Sequence, residues 1–282
     1  MTMKNPGEQY IDINKYPIHK DGQQRDAILE KVRADLDRDG CAVLKGFLNA
    51  DGIQALTREA ESVSDKGHKS FSRTNPYFTE NDPSLPEEDP RRQFFDRSNA
   101  FIPADNFSKN GPLRKVHDFD GFDQFIQDCL QEDAFYRYAD PLADVIVNMA
   151  TEGSGFPWHF DTNNFTVTLA IQNAENGGAF EYAASIRHGD ENFPEVQRVL
   201  NGTSDKLTVL HLEPGDLQIF RGRYSLHRVA PLFGDRPRYV AIFSYVEEPN
   251  MVGSPTRTQQ LYGRTLPIHH ARAGQRGDEY LD

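Results

Sequence analysis

Cysteine is nearly missing: there are two in 282 residues, Cys41 and Cys129. Two thiols cannot build a disulfide framework or an all-cysteine zinc site, and they point to a reducing, cytoplasmic compartment. Positive charge is also short. Lysine and arginine total 31 against 43 aspartates and glutamates, a formal net charge of −12. Such a chain lacks the basic face that displaces counterions, so nucleic acid is excluded as a partner. A small anionic substrate is not, because a local cationic pocket overrides the global field. Long hydrophobic runs are absent too. The longest, around 239–246, is far too short to cross a bilayer, and a membrane partner is excluded. The N-terminal MTMKNPGEQYIDINKYP lacks the apolar core of a signal peptide. No repeat period stands out.

What is present divides by pattern. Ile28, Val32 and Leu36 recur at helical spacing and Gly40 ends that run. CAVLKGF (41–47) reads as a strand, and Asn49 or Asp51 caps a helix over about 52–63. Residues 65–116 are broken by prolines and read as a lid-like insertion. Its second half, FFDRSNAFIPADNF, is too aromatic for a purely solvated segment. Residues 117–143 return to helix, with Phe122, Phe125, Ile126 and Leu130 on one face. From 144 to 249, DVIVNMA, NFTVTLAIQ, GGAFEYA, KLTVLHL, DLQIF, SLHRVAP and RYVAIFSYV read as strands. Residues 250–282 are polar and read as a surface extension. The predicted fold is one domain, mainly β with flanking helices. Its core is a double-stranded β-helix (jelly-roll, cupin-like) under an N-terminal helical layer (1–64).

A core of this kind directs attention to metal ligands. Two histidines and one carboxylate on one face of an octahedral ion make the facial triad of non-haem iron(II) oxygenases. In a strand, residues i and i+2 point the same way, so His-x-Asp can share one ion. The motif is weak alone, since about one copy is expected by chance. It starts at His19, His159 and His188. His19 lies in the polar lead-in and His188 in IRHGDENFPEV, where glycine and proline make the segment read as a loop. His159 and Asp161 stand directly before a clear strand, and we choose them. For the third ligand, His211 and His227 compete, followed by Arg221 and Arg238 respectively. In PGDLQIFRGRYSLHRVAP a strand, a tight turn and a returning strand bring His227 back into the barrel, so we choose His227 and read His211 as a strand histidine. Arg238 then shares a face with Val240 and Ile242. An arginine among apolar neighbours suits a buried carboxylate, such as the C5 end of 2-oxoglutarate, with a surface ion pair as the other reading. Asn148 is placed at the C1 end of the same cosubstrate or, alternatively, in a strand-end turn. Thr166 and Thr168 make one face of their strand polar, facing either the site or solvent; we assign Thr168 to the cosubstrate. Trp158 points away from His159 into packing.

With these residues in hand, the sequence resembles the iron(II)/2-oxoglutarate dioxygenases. RRQFFDRSNAF, WHFDTNNFTVTLAIQN, GGAFEY, GDLQIFRGRYSLHRV and RPRYVAIFSYVEEP are similar to one branch in particular, the free amino-acid radical halogenases and their hydroxylase relatives. The resemblance spans about 90–265. It implies Fe(II), 2-oxoglutarate and O2 as cofactor and cosubstrates, a small-molecule substrate such as a free amino acid, and a homodimer. Halogenases of this branch carry a small residue where the metal carboxylate stands, which opens a position for chloride. Asp161 fills that position here, so the resemblance implies hydroxylation. Halogenation, or a cupin-type metal enzyme without 2-oxoglutarate, is the alternative. The branch also implies a carboxylate-binding arginine at Arg97. Thr162 and Tyr262 are assigned to the substrate, Tyr262 by reaching back from TQQLYGR.

Overall fold

The computed structural model describes residues 5–70 and 72–272. Helix α1 (Gln23–Asp39) buries Leu29, Val32 and Leu36. It ends where Gly40 adopts a left-handed φ of 65° and returns its N–H to the Leu36 carbonyl. Strand β1 (Cys41–Leu44) leads to α2 (Ala50–Ser62), capped by Asn49, whose side chain accepts from the Gly52 N–H at 2.9 Å. The proline-broken segment contributes β2 (His68–Lys69), β3 (Ser72–Thr74), β4 (Phe95–Arg97) and β5 (Ala100–Ile102). Phe101 and Phe107 are buried there. Helix α3 (Pro112–His117) comes just before the stretch read as helical over 117–143, and within that stretch α4 (Phe122–Leu130) is the helix. Gln131 takes a left-handed φ of 59°, which stops α4 and turns the chain into β6 (Tyr136–Arg137).

The β-rich half runs through β7 (Val145–Ala150), β8 (Phe156–His159), β9 (Phe165–Gln172), β10 (Asn176–Gly177) and β11 (Phe180–Ala183). Helix α5 (Phe193–Leu200) comes next, where the sequence reads as a loop. Pro194 sits in its first turn, where a missing N–H costs nothing, and Val196 and Val199 pack on Trp158 and Tyr77. Then follow β12 (Leu207–Leu210), β13 (Leu217–Phe220), β14 (Leu226–Val229), β15 (Leu232–Phe233), β16 (Arg238–Val246), α6 (Pro255–Tyr262) and α7 (Pro267–Ala271).

Two sheets face each other as a jelly-roll. The larger runs β1-β13-β9-β16-β7-β5-β2 with β6 beside β16, and the smaller runs β12-β11-β14-β8. Strand alternation gives the larger sheet two unlike faces. Val147, Val167, Leu169, Ile219, Ala241 and Phe243 pack outward on the N-terminal helices in the main core. The opposite face carries Asn148 beside Val240, and Ile146, Ile242, Thr168 and Gln218 in one row. The turn after β13 crosses between sheets, since β13 pairs with β1 and β9 whereas β14 pairs with β11 and β8. That crossing puts His227 opposite His159. No helix among the described residues is long and apolar enough to cross a membrane.

Candidate metal centre and substrate cavity

His159 closes β8 and His227 lies within β14, and the two are register partners across that strand pair. Asp161 is not on the strand, as the i, i+2 reading expects. β8 stops at His159, and the next residues are tied elsewhere, Phe160 N–H to the Pro76 carbonyl and Asp161 N–H to the Gly222 carbonyl. The loop still delivers Asp161 Oδ1 to 3.4 Å from His159 Nε2 and 3.3 Å from His227 Nε2. Cis ligands about 2.1 Å from an octahedral ion lie about 3 Å apart, so the three atoms have the spacing of a metal-ligand set. Among the described residues, this is the cluster of metal-binding side chains that converges within 4.8 Å.

Each imidazole is fixed by its other nitrogen. His159 Nδ1 lies 2.8 Å from the Pro157 carbonyl and His227 Nδ1 lies 2.9 Å from the Ser225 carbonyl. A carbonyl only accepts, so both Nδ1 atoms carry the proton and both Nε2 lone pairs face inward. Burial, and then the neighbouring His227, pushes His159 down to about 4, so it is neutral and ligand-competent at neutral pH. Burial pushes Asp161 upward, but the adjacent His227 and His159 outweigh it and hold the carboxylate well below its usual range. Its second oxygen accepts a short hydrogen bond from Thr166 Oγ1 on β9, leaving Oδ1 to face the histidines. Gly222 makes room: a Cβ there would stand 1.8 Å from Asp161 Oδ2. Phe156 stacks on the His159 ring at 3.7 Å, and Phe220 meets His227 edge-on at 5.0 Å.

Arg238 opens β16 and is 7% exposed. It has no acidic partner among the described residues, and burial pushes its guanidinium down to about 10, still charged at neutral pH. It lines a cavity of about 320 Å³ together with Gly178, Phe180 and His211. A Cβ at Gly178 would touch the Arg238 side chain at 3.3 Å. The Phe180 ring, on the wall of this cavity, stands 5.5 Å from the His227 ring of the metal centre. His211 is exposed at the rim of that cavity, so the strand-histidine reading gives way to a rim position. Asn148 is buried on β7, and the Thr168 hydroxyl donates to Gln218 Oε1 at 2.8 Å.

A second cavity, about 90 Å³, reaches the metal centre itself. His159, Asp161, Thr162, Thr166, Ile242 and Tyr262 are on its wall. Tyr262 belongs to α6, so 255–262 is not part of a surface extension as the sequence suggests: α6 folds back and closes the cavity with Arg257, Leu261 and Tyr262, while 273–282 lie outside the described residues. Arg97 is 1% exposed on β4 and stands behind that wall. Its guanidinium lies 4.6 Å from the Phe156 ring centre, 5.4 Å from Phe101 and 5.9 Å from Phe78. Its Nε donates to Asn99 at 3.1 Å, and its two terminal nitrogens have no hydrogen-bond partner among the described residues. Burial, then repulsion from Arg257, pushes it far below its usual value. Such an orphaned cation is costly unless an anion reaches it. Sequence reasoning missed Arg257, Phe78 and Gly222. Only Gly222, in the tight turn before His227, carried a local signal.

A family model described as HalD, Halogenase D, matches residues 24–260. No curated protein matches the chain. Solved structures with a similar fold include the non-heme α-ketoglutarate-dependent epimerase SnoN from nogalamycin biosynthesis. It is 13% identical with a TM-score of 0.58, covering 79% of this chain and 82% of that one. A 2OG-Fe(II) oxygenase family oxidoreductase from Burkholderia pseudomallei is 12% identical with a TM-score of 0.51, covering 81% and 93%. HygX from Streptomyces hygroscopicus, solved with nickel, 2-oxoglutarate and hygromycin B, is 11% identical with a TM-score of 0.52, covering 83% and 94%.

Proposed function

The chain belongs to the Halogenase D family, within the Fe(II)/2-oxoglutarate oxygenases, and from that premise we propose that it hydroxylates an unactivated C–H bond of a free amino acid or a small amino-acid-like molecule. The observation that carries this reading is the Asp161 carboxylate, held by Thr166 with one oxygen toward both histidines. His159, Asp161 and His227 would hold iron(II), leaving no vacancy for chloride where the carboxylate stands. Bound iron(II) and 2-oxoglutarate supply the oxidation: one atom of O2 enters succinate as CO2 leaves, and the other enters the substrate.

The protein's own residues supply position, charge and dryness. Arg238 takes the C5 carboxylate of 2-oxoglutarate by two parallel charge-assisted bonds, which its partnerless burial supports. Asn148 is assigned to the C1 end from the same interior face, and Thr168 acts there through its bond to Gln218. Arg97 binds the substrate carboxylate, supported by its two unpartnered nitrogens. Thr162 and Tyr262 orient the substrate from the cavity wall. Phe78, Phe101 and Phe156 exclude water.

The family's name favours a second reading, halogenation. Succinate release with and without iron(II), and product mass with and without chloride, separate the two. Hydroxylated product that is lost in Asp161→Ala supports the proposal. Chlorinated product from the wild-type enzyme, or full activity in Asp161→Ala, overturns it. Asp161→Gly in chloride is expected to lose hydroxylation.

A further inference from the structure

We infer that the side chain of the substrate is uncharged and aliphatic, an inference that rests on the amino-acid reading above. The cavity at the metal centre has an uneven wall. Tyr138, Asp140 and Thr258 gather around Gly253: a Cβ there would meet Thr258 Oγ1 at 2.6 Å, Asp140 Oδ2 at 3.1 Å and Tyr138 Oη at 3.3 Å. Ile146 and Ile242 stand side by side as register partners of β7 and β16, and with Phe101, Phe156 and Leu261 they form a continuous apolar stretch. Arg97 packs on Phe101 and Phe156, two rings of this stretch, so a substrate held there by its carboxylate would lie along the stretch with its side chain.

The charged groups on the wall decide against a cationic side chain. Asp161 and Asp140 are the acids that line the cavity. Asp161 belongs to the metal centre. Asp140 is 1% exposed and already accepts three hydrogen bonds: Leu142 N–H at 2.8 Å, Gly253 N–H at 2.9 Å and His269 Nε2 at 3.0 Å. His269 Nδ1 accepts from the Leu266 N–H at 2.8 Å, so Nε2 carries the proton that it gives to Asp140. A carboxylate has about four lone-pair sites, which leaves room for a single ammonium N–H. An amino acid with a second ammonium would bury it unpaired near Arg257, whose guanidinium lies 3.4 Å from the Phe78 ring centre on the same wall. An acidic side chain would face the Ile146–Ile242 stretch, which offers it no hydrogen-bond donor, while Arg257, the cation on that wall, is engaged by Gln260 Oε1 at 2.7 Å and by the Phe78 ring.

The test is a panel of free amino acids on the enzyme loaded with iron(II) and 2-oxoglutarate, read by succinate release and by gain of one oxygen atom in the substrate. Leucine, isoleucine and norvaline are expected to exceed lysine, ornithine, aspartate and glutamate in kcat/KM by about 100-fold or more, the effect of burying one unpaired charge. A lysine, ornithine, aspartate or glutamate preference overturns the inference and leaves the hydroxylase reading standing. No stimulation by any amino acid, with substrate-independent succinate release intact, overturns the amino-acid reading and this inference with it. Ile242→Asp is expected to shift the leucine-to-lysine ratio of kcat/KM by about 100-fold toward lysine. An unchanged ratio in the folded variant also overturns the inference, and if that variant does not fold, the wild-type panel decides alone.

Discussion

Gly222→Ala isolates the geometry of the metal centre from its chemistry. The backbone at Gly222 is not in the left-handed region, so alanine brings no backbone strain. The added methyl would stand 1.8 Å from Asp161 Oδ2, 2.6 Å from Cγ and 3.1 Å from Cβ. Cβ atoms keep at least 3.0 Å from such neighbours, so the oxygen must retreat by the difference, about 1.2 Å. That retreat breaks the Thr166 bond and carries Oδ1 away from the two Nε2 atoms. A displacement near 1 Å at a reacting centre costs about 100-fold in rate, and loss of a group that orients a metal ligand costs about 10–100-fold in metal affinity. Anaerobic iron(II) titration and succinate release should therefore both fall, while the thermal midpoint without metal stays within a few degrees. A double-mutant comparison sharpens the attribution. Added to Asp161→Ala, Gly222→Ala should cost little more, because the atoms it collides with are gone. Wild-type affinity and turnover in Gly222→Ala would refute the reasoning, as would full additivity with Asp161→Ala.

Arg238→Gln should raise the KM for 2-oxoglutarate on the order of 100-fold, the loss of one side of a buried charge pair. Its thermal midpoint without cosubstrate should hold or rise, because a buried cation without a counter-charge is removed; a fall in that midpoint with unchanged KM refutes the assignment. His117 is buried against Phe243, at 5.0 Å and nearly parallel, and burial, then Arg137 and Arg114, push it well below its ordinary 6.5. Below 6.5 the unfolded chain takes a proton that the fold refuses. Its contribution is therefore complete above 6.5 and is lost as pH falls, with a slope of up to about 1.4 kcal/mol per pH unit. His117→Phe should remove that increment between pH 7 and 5 in urea melts, and an unchanged slope counts against it. Burial pushes the Cys41 thiol up to about 12 and raises Cys129 as well. Iodoacetamide at pH 8 should label neither in the native protein and both in urea.

Much of the fold was legible because it is written at short range. Runs of Thr, Val, Ile, Phe and Tyr between turn residues marked seven of the strands, though not β8, and Gly40 and Asn49 marked helix ends by their own chemistry. Where local cues conflicted, the reading failed. Pro194 looked like a breaker and is a helix-start residue, while Gln131 stops a helix through a left-handed backbone that its side chain does not announce.

The sequence by itself determined the jelly-roll class and the choice of His159, Asp161 and His227. Both rest on residue type and spacing within a few positions, set against strand context. The tertiary structure decided how that set is held and enclosed. Thr166 and Gly222 fix the carboxylate from two other elements, α6 turns a polar tail into a wall, and Arg97 is stranded behind three rings. Those facts are burials and contacts between distant segments. They depend on which faces meet when the sheets close, and no stretch of chain carries that information alone.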